Sequence, residues 1–89
     1  MKAVVTVVGR DTVGILAKVS ASCAEHNANI IDVTQSVMQE LFTMVMLVDI
    51  AGINTTFENF RAEMAKTGEE LGMEINVQLE EIFESMYRV

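Results

Sequence analysis

Gly9-Arg10-Asp11-Thr12-Val13-Gly14-Ile15-Leu16 stands between a β-branched apolar run and the first helical pattern of the chain. Its two glycines permit a tight bend and let a guest approach the backbone closely. The helix that begins there has unpaired first N–H groups and the positive end of its dipole pointing outward. Such a terminus holds carboxylates and phosphates without a dedicated side chain. Asp11 or Thr12 can cap this helix, and Arg10 can either pair with a bound carboxylate or remain a solvated loop cation. Capping by Asp11 does not exclude contact with a ligand.

The remaining chemistry-bearing residues form no catalytic set. His26 is a lone histidine near the end of the first helical pattern, read as a surface residue, and it lacks metal-ligand spacing. Cys23 falls on the apolar helical stripe and reads as buried and inert. There is no pair of cysteines and no Ser/His/Asp arrangement. Catalytic residues, a metal and a cofactor are therefore not expected. Gln35 lies on a strand face of otherwise apolar residues. A buried amide needs partners, supplied either by local backbone or by a ligand or interface.

The chain has 89 residues, 51% of them hydrophobic, with no proline, one cysteine and a net charge of −7. This composition folds, and the length suits one domain whose large relative surface favours association with a second copy. Without a basic cluster, direct binding to DNA, RNA or an anionic membrane is not expected. The apolar stretches are too short and interrupted to span a bilayer. The start, Met1-Lys2-Ala3-Val4-Val5-Thr6-Val7-Val8, reads as a strand rather than a signal peptide. With no disulfide framework, a cytoplasmic location is expected.

The elements that position the junction can be read from periodicity. Residues 2–8 form a central strand. Ile15, Leu16, Val19 and Cys23 give the first helix its apolar stripe, which His26-Asn27-Ala28-Asn29 ends. The second strand, Ile30 to Met38, places Ile31, Val33, Gln35 and Val37 on one face and a mixed set on the other, as in an edge strand. Gln39-Glu40 connects it to a strand over 41–50 with Phe42, Met44, Met46, Val48 and Ile50 on one face. Thr55-Thr56-Phe57-Glu58 matches a capping box, with Thr55 as N-cap and Glu58 reaching back. Phe57, Phe60, Met64 and Leu71 line the second helix, and Gly72 stands at its C-terminus. Met73, Ile75, Val77 and Leu79 alternate in the last strand. In the tail, the i, i+4 pairs Ile82/Met86 and Phe83/Tyr87 suggest one or two helical turns. The expected architecture is an α+β, ferredoxin-like βαββαβ two-layer sandwich. It has a four-stranded antiparallel sheet over residues 1–80 and a short C-terminal helical tail over 81–89.

The first strand, Gly9-Arg10-Asp11-Thr12-Val13-Gly14-Ile15, Asn29-Ile30-Ile31-Asp32 and Phe42-Thr43-Met44-Val45-Met46 together resemble an ACT domain over roughly residues 2 to 80. The whole chain is similar to small ACT proteins related to the glycine cleavage system repressor. The resemblance implies a regulatory homodimer that binds a small molecule, an amino acid, where two copies meet. Gly9, Arg10, Asp11, Val13, Gly14 and Ile15 would form one wall, and Asn29 and Ile30 of the partner the other. A protein regulated by the module is a further implied partner.

Other functions remain open on the same fold. One is a structural or protein-interaction module whose tail docks on a partner enzyme or regulator without a ligand. An acylphosphatase would use Arg10 on phosphate, but the glutamine- and glycine-rich loop of that family is missing. A nucleic-acid binder would need exposed strand aromatics and a basic surface. The dimer could join through the second strand or through the open sheet faces.

Overall fold

Alternation of β-branched and small residues makes β1 (Lys2–Arg10) the centre of an antiparallel sheet with strand order β2-β3-β1-β4. The computed structural model describes residues 1–87, and Tyr87 by its backbone alone. The expected Phe83/Tyr87 pairing therefore lies outside the described residues, as do Arg88 and Val89. The remaining elements are α1 (Ile15–Glu25), β2 (Asn29–Met38), β3 (Leu41–Asp49), α2 (Phe57–Leu71), β4 (Met73–Leu79) and α3 (Glu80–Tyr87). This is the ferredoxin-like fold with a short C-terminal helix.

The core lies between the sheet and the pair α1 and α2. Ala3, Val5 and Val7 of β1 and Met44, Met46 and Val48 of β3 are completely buried, as are Val19, Cys23, Phe60 and Met64 of the helices. Burying each large side chain of this set contributes about 1.5–3 kcal/mol. The helices meet through Ser22 and Thr67, whose hydroxyls are 3.2 Å apart. At Gly68 a side chain would collide with β4, since a Cβ would sit 2.7 Å from the Met73 carbonyl oxygen and 2.9 Å from Ile75 Cγ1. The bare glycine is what lets α2 lie directly on β4.

Several local expectations need correction. The N-cap of α1 is Gly14, in the left-handed region at φ 86°, and no side chain caps the helix. Neither Asp11 nor Thr12 takes that role, because the chain enters the helix at Gly14, two residues past Thr12 and three past Asp11. The second helix is capped by Thr56, not Thr55, and its hydroxyl accepts from the Asn59 amide at 3.1 Å. Asn59 Nδ2 in turn donates to Thr55 Oγ1, an arrangement that leaves Glu58 out. Leu16, expected on the buried stripe, is 43% exposed.

In β2 a bulge lies between Ile30 and Asp32, so Ile30 rather than Ile31 stands opposite Val48. An extra residue reverses the facing of everything before it. Ile30 packs against the core and Ile31 is exposed. Gln35 lies opposite Met44 on the helix-side face, as its alternation requires, but it is exposed. α2 packs on β4, and α1 packs on α2 and on β2. β2 is an outer strand of the sheet, and its residues 34–38 are exposed.

The opposite sheet face carries Val4, Thr6 and Val8 of β1 beside Thr43, Val45 and Leu47 of β3. Val4 is 6% exposed although it points away from both covering helices. The tail accounts for this. α3 contacts β1 and β4, and Gln78, the cross-strand neighbour of Val4, places Nε2 at 3.4 Å from Met86 Sδ.

Candidate functional site

The junction residues Gly9 to Ile15 come together where β1 leaves the sheet and α1 begins. Gly9 stands opposite Phe42 and Met73, and a Cβ there would lie 2.6 Å from Met73 Sδ and 3.2 Å from the Gly72 carbonyl oxygen. Its lack of a side chain serves packing against the start of β4. Gly14 has a different reason. Nothing lies within 4 Å of a Cβ placed there, so the positive φ alone calls for glycine.

With Gly14 as N-cap, the Lys18 amide closes the first helical bond on the Gly14 carbonyl oxygen at 3.0 Å. The amides of Ile15, Leu16 and Ala17 precede that bond and have no side-chain cap, as an anion site at a helix start requires. The Ile15 side chain is 3% exposed and belongs to the core, so only its backbone faces the junction. Val13 is 97% exposed. Asp11 and Thr12 are exposed as well. Arg10 reaches Glu40 Oε2 at 3.4 Å, with both side chains 80% exposed. An ion pair this open contributes little to stability and leaves Arg10 free to turn toward another anion.

Asn29 and Ile30 are not near this junction in the same chain. Asn29 pairs with Asp49, which pairs with Lys2 at the start of β1, whereas Arg10 pairs with Leu41 at the other end. Eight positions of β1 separate the two rows, about 26 Å at roughly 3.3 Å per residue. The Met38 end of β2, by contrast, lies beside the junction, because the Asp11 amide donates to the Glu40 carbonyl oxygen at 2.8 Å.

His26 is half-buried rather than a surface residue. Its Nδ1 lies 2.8 Å from the Ser22 carbonyl oxygen, and its ring meets Phe60 edge-on at 5.7 Å between centroids. Cys23 is completely buried, and loss of hydration pushes its thiol up from 9.0 to about 11. A protonated thiol is a poor nucleophile. Among the described residues no group of three or more His, Cys, Asp and Glu is placed to hold a metal ion, and no helix is long and apolar enough to cross a membrane.

Sequence reading passed over a cleft of about 250 Å³ along the outer side of β4, between Ala62 and Ala65 of α2 and Ile75 and Val77. Its signal in the sequence is faint: two alanines on the polar side of an otherwise charged helix.

Comparison with known proteins agrees with the geometry. The model of the ACT domain family matches residues 2–78. A UPF0237 protein of Methanopyrus kandleri is 49% identical over 88 residues, 99% of this chain and 98% of its own. The solved structure of an ACT domain protein from Streptococcus pneumoniae superposes with a TM-score of 0.82 at 44% identity, covering 98% of both chains. A candidate glycine cleavage system transcriptional repressor has the same fold, with a TM-score of 0.75 at 23% identity over 86% of this chain and 44% of that one. A βαββαβ sandwich whose glycine-bracketed junction opens on an uncapped helix start, matched along nearly its whole length, thus belongs to the ACT domain family.

Proposed function

We propose that this ACT domain is a non-catalytic regulatory module of the cytoplasm that binds a free amino acid between two copies of itself. The observation that carries the reading is the start of α1, where Gly14 turns the chain into the helix and no side chain occupies the first amides. An α-carboxylate would accept from the amides of Ile15, Leu16 and Ala17, with Arg10 close enough in sequence to add a charged donor. The ammonium group would meet Asp11 and the side-chain oxygen of the partner's Asn29.

A second copy enters because Asn29 and the junction lie at opposite ends of one sheet. Two copies related by a two-fold axis and joined along β2 would run their edges antiparallel. The Asn29 end of one then lies beside the Met38 end of the other, next to the hairpin that the junction touches. Leu16, Ile31 and Val37, which are 43%, 46% and 52% exposed, flank this edge and would be covered in that arrangement. The side-by-side mode is therefore preferred to packing of the open faces.

Calorimetric titration with each common amino acid, alongside sedimentation of the free protein, tests the reading. Heat from one amino acid with a dimeric mass is the expected result. A strictly monomeric chain, or a dimer that gives no heat with any of them, overturns it.

A second reading, a module that docks on a protein through its tail, is favoured by Ile82 and Met86 of α3, which are 51% and 59% exposed. Removing residues 81–89 would then abolish capture of that protein while leaving amino-acid titrations unchanged.

A further inference from the structure

Two apolar residues at the start of α1 have no place in the core. Val13 precedes the Gly14 cap, where an apolar residue often packs on the fourth residue of the helix. Here that residue is Lys18, and Val13 is left 97% exposed. Leu16, the second residue of α1, is exposed as well. Helical geometry fixes the flank it takes. Ser22 faces α2, since its hydroxyl is 3.2 Å from that of Thr67. Leu16 lies about a third of a turn round from Ser22, with the buried Val19 between them. It therefore stands on the flank of α1 away from α2, the side on which α1 packs on β2.

β2 supplies the facing wall. Val37, Phe42 and Gly9 are cross-strand neighbours in one row. Phe42 is buried on the helix side, and Val37, on the same side of the sheet, is exposed. Val37 thus stands two strands from Gly9, about 10 Å at roughly 4.8 Å per strand. The other residues of β2 on this face are Val33 and Gln35, neither of them charged. The nearby charges are used elsewhere. Arg10 and Asp11 serve the carboxylate and ammonium of a bound amino acid, and Glu40 pairs with Arg10. Lys18 lies more than half a turn round α1 from Leu16. The side-chain wall beside the free amides of Ile15, Leu16 and Ala17 is therefore apolar and uncharged. Leu16 and Val37 also flank the edge that a second copy covers, which shuts this wall off from water. A charged side chain placed there loses its hydration and gains no partner.

We propose that the junction selects an amino acid with an uncharged aliphatic side chain, of the size of valine, leucine or isoleucine, held against Val13 and Leu16 at the start of α1 and Val37 of β2. Leu16 and Val37 determine the specificity, while the helix-start amides bind the carboxylate common to all amino acids. This selectivity rests on the reading of the junction as an amino-acid site.

The probes are leucine, isoleucine, valine, alanine, serine, aspartate and lysine, each titrated calorimetrically into the full chain. The three branched amino acids should bind at least about tenfold tighter than alanine, which buries less apolar surface. Aspartate and lysine should give no heat. Leu16→Gln and Val37→Thr, both at exposed positions, should each lower leucine affinity about fivefold or more. Alanine affinity should stay within about twofold in both variants, because the carboxylate contacts are untouched. Sedimentation should give both variants the mass of the parent protein. Equal losses for leucine and alanine, or no loss for either, overturn the proposal. Variants that fall apart into lighter species assign Leu16 and Val37 to the contact between copies alone, and overturn it too. A preference for serine, aspartate or lysine over leucine overturns the selectivity and leaves the amino-acid site standing. Absence of heat from every common amino acid removes the site itself, and the selectivity with it.

Discussion

The Asp11 amide donates to the Glu40 carbonyl oxygen at 2.8 Å, joining the β1–α1 junction to the tip of the β2–β3 hairpin. The hairpin in turn depends on Gln39, which adopts φ 58°. A residue with a Cβ is strained in that region, and glycine is not. Gln39→Gly should raise the unfolding free energy by about 0.5–1 kcal/mol, the relief of strain being partly offset by the greater freedom of the unfolded chain. Urea denaturation measures this, and a loss of stability would show that the Gln39 side chain has a role the backbone geometry does not explain.

Gly14 makes the opposite case at the helix start. Gly14→Ala should destabilise by about 1–2 kcal/mol, because φ 86° is imposed on a residue with a Cβ. Since nothing crowds the added methyl, a cost near zero in the same denaturation experiment would mean that the junction relaxes to another backbone path.

At Gly68 the conflict is steric. Alanine is the better helix former by about 1 kcal/mol, yet its methyl would meet the Met73 carbonyl oxygen at 2.7 Å and Ile75 Cγ1 at 2.9 Å. Overpacking should win, and Gly68→Ala should lose about 1–3 kcal/mol. A stabilised variant would mean that α2 lifts from β4 without resistance.

Cys23 gives a pH signature. Its thiol titrates near 9.0 when unfolded and at about 11 when folded. Below pH 9 both states hold the proton, and this group makes no difference to the pH profile. Above pH 9 the unfolded chain ionises first, so stability falls, levelling beyond pH 11 after a loss of about 2–3 kcal/mol. Cys23→Ala removes the titration, and its stability curve should lack this component between pH 9 and 11. Parallel curves for the two proteins would contradict the shift.

A site shared between copies can be tested by complementation. Asp11→Arg and Asn29→Arg, both at exposed positions, should each abolish amino-acid binding. Randomly mixed subunits would restore about a quarter of the sites, since half the dimers carry one intact wall pair. Calorimetry on the mixture should show that fraction, and no recovery would mean that Asp11 and Asn29 do not meet across the interface.

Periodicity alone determined most of the architecture. The alternation of Val5 and Val7, of Met44 and Met46, and of Ile75 and Val77 has a single face to bury, and helical spacing gives Val19, Cys23, Phe60 and Met64 no choice but the core. The junction was legible for the same reason, as glycines at a strand–helix boundary have few uses. Boundaries between near-equivalent residues were not. Thr55 and Thr56 are both competent caps, and only the path into α2 chose between them. The bulge that exchanged Ile30 for Ile31 depends on how β2 meets β3, which a local pattern does not contain. Leu16, Gln35 and Val37 have ordinary apolar-stripe spacing but are exposed, Gln35 and Val37 because they lie on β2, an outer strand of the sheet. Coverage of a face is a property of how layers stack, and for that reason tertiary structure alone decided that Asn29 and Gly14 lie a full strand apart.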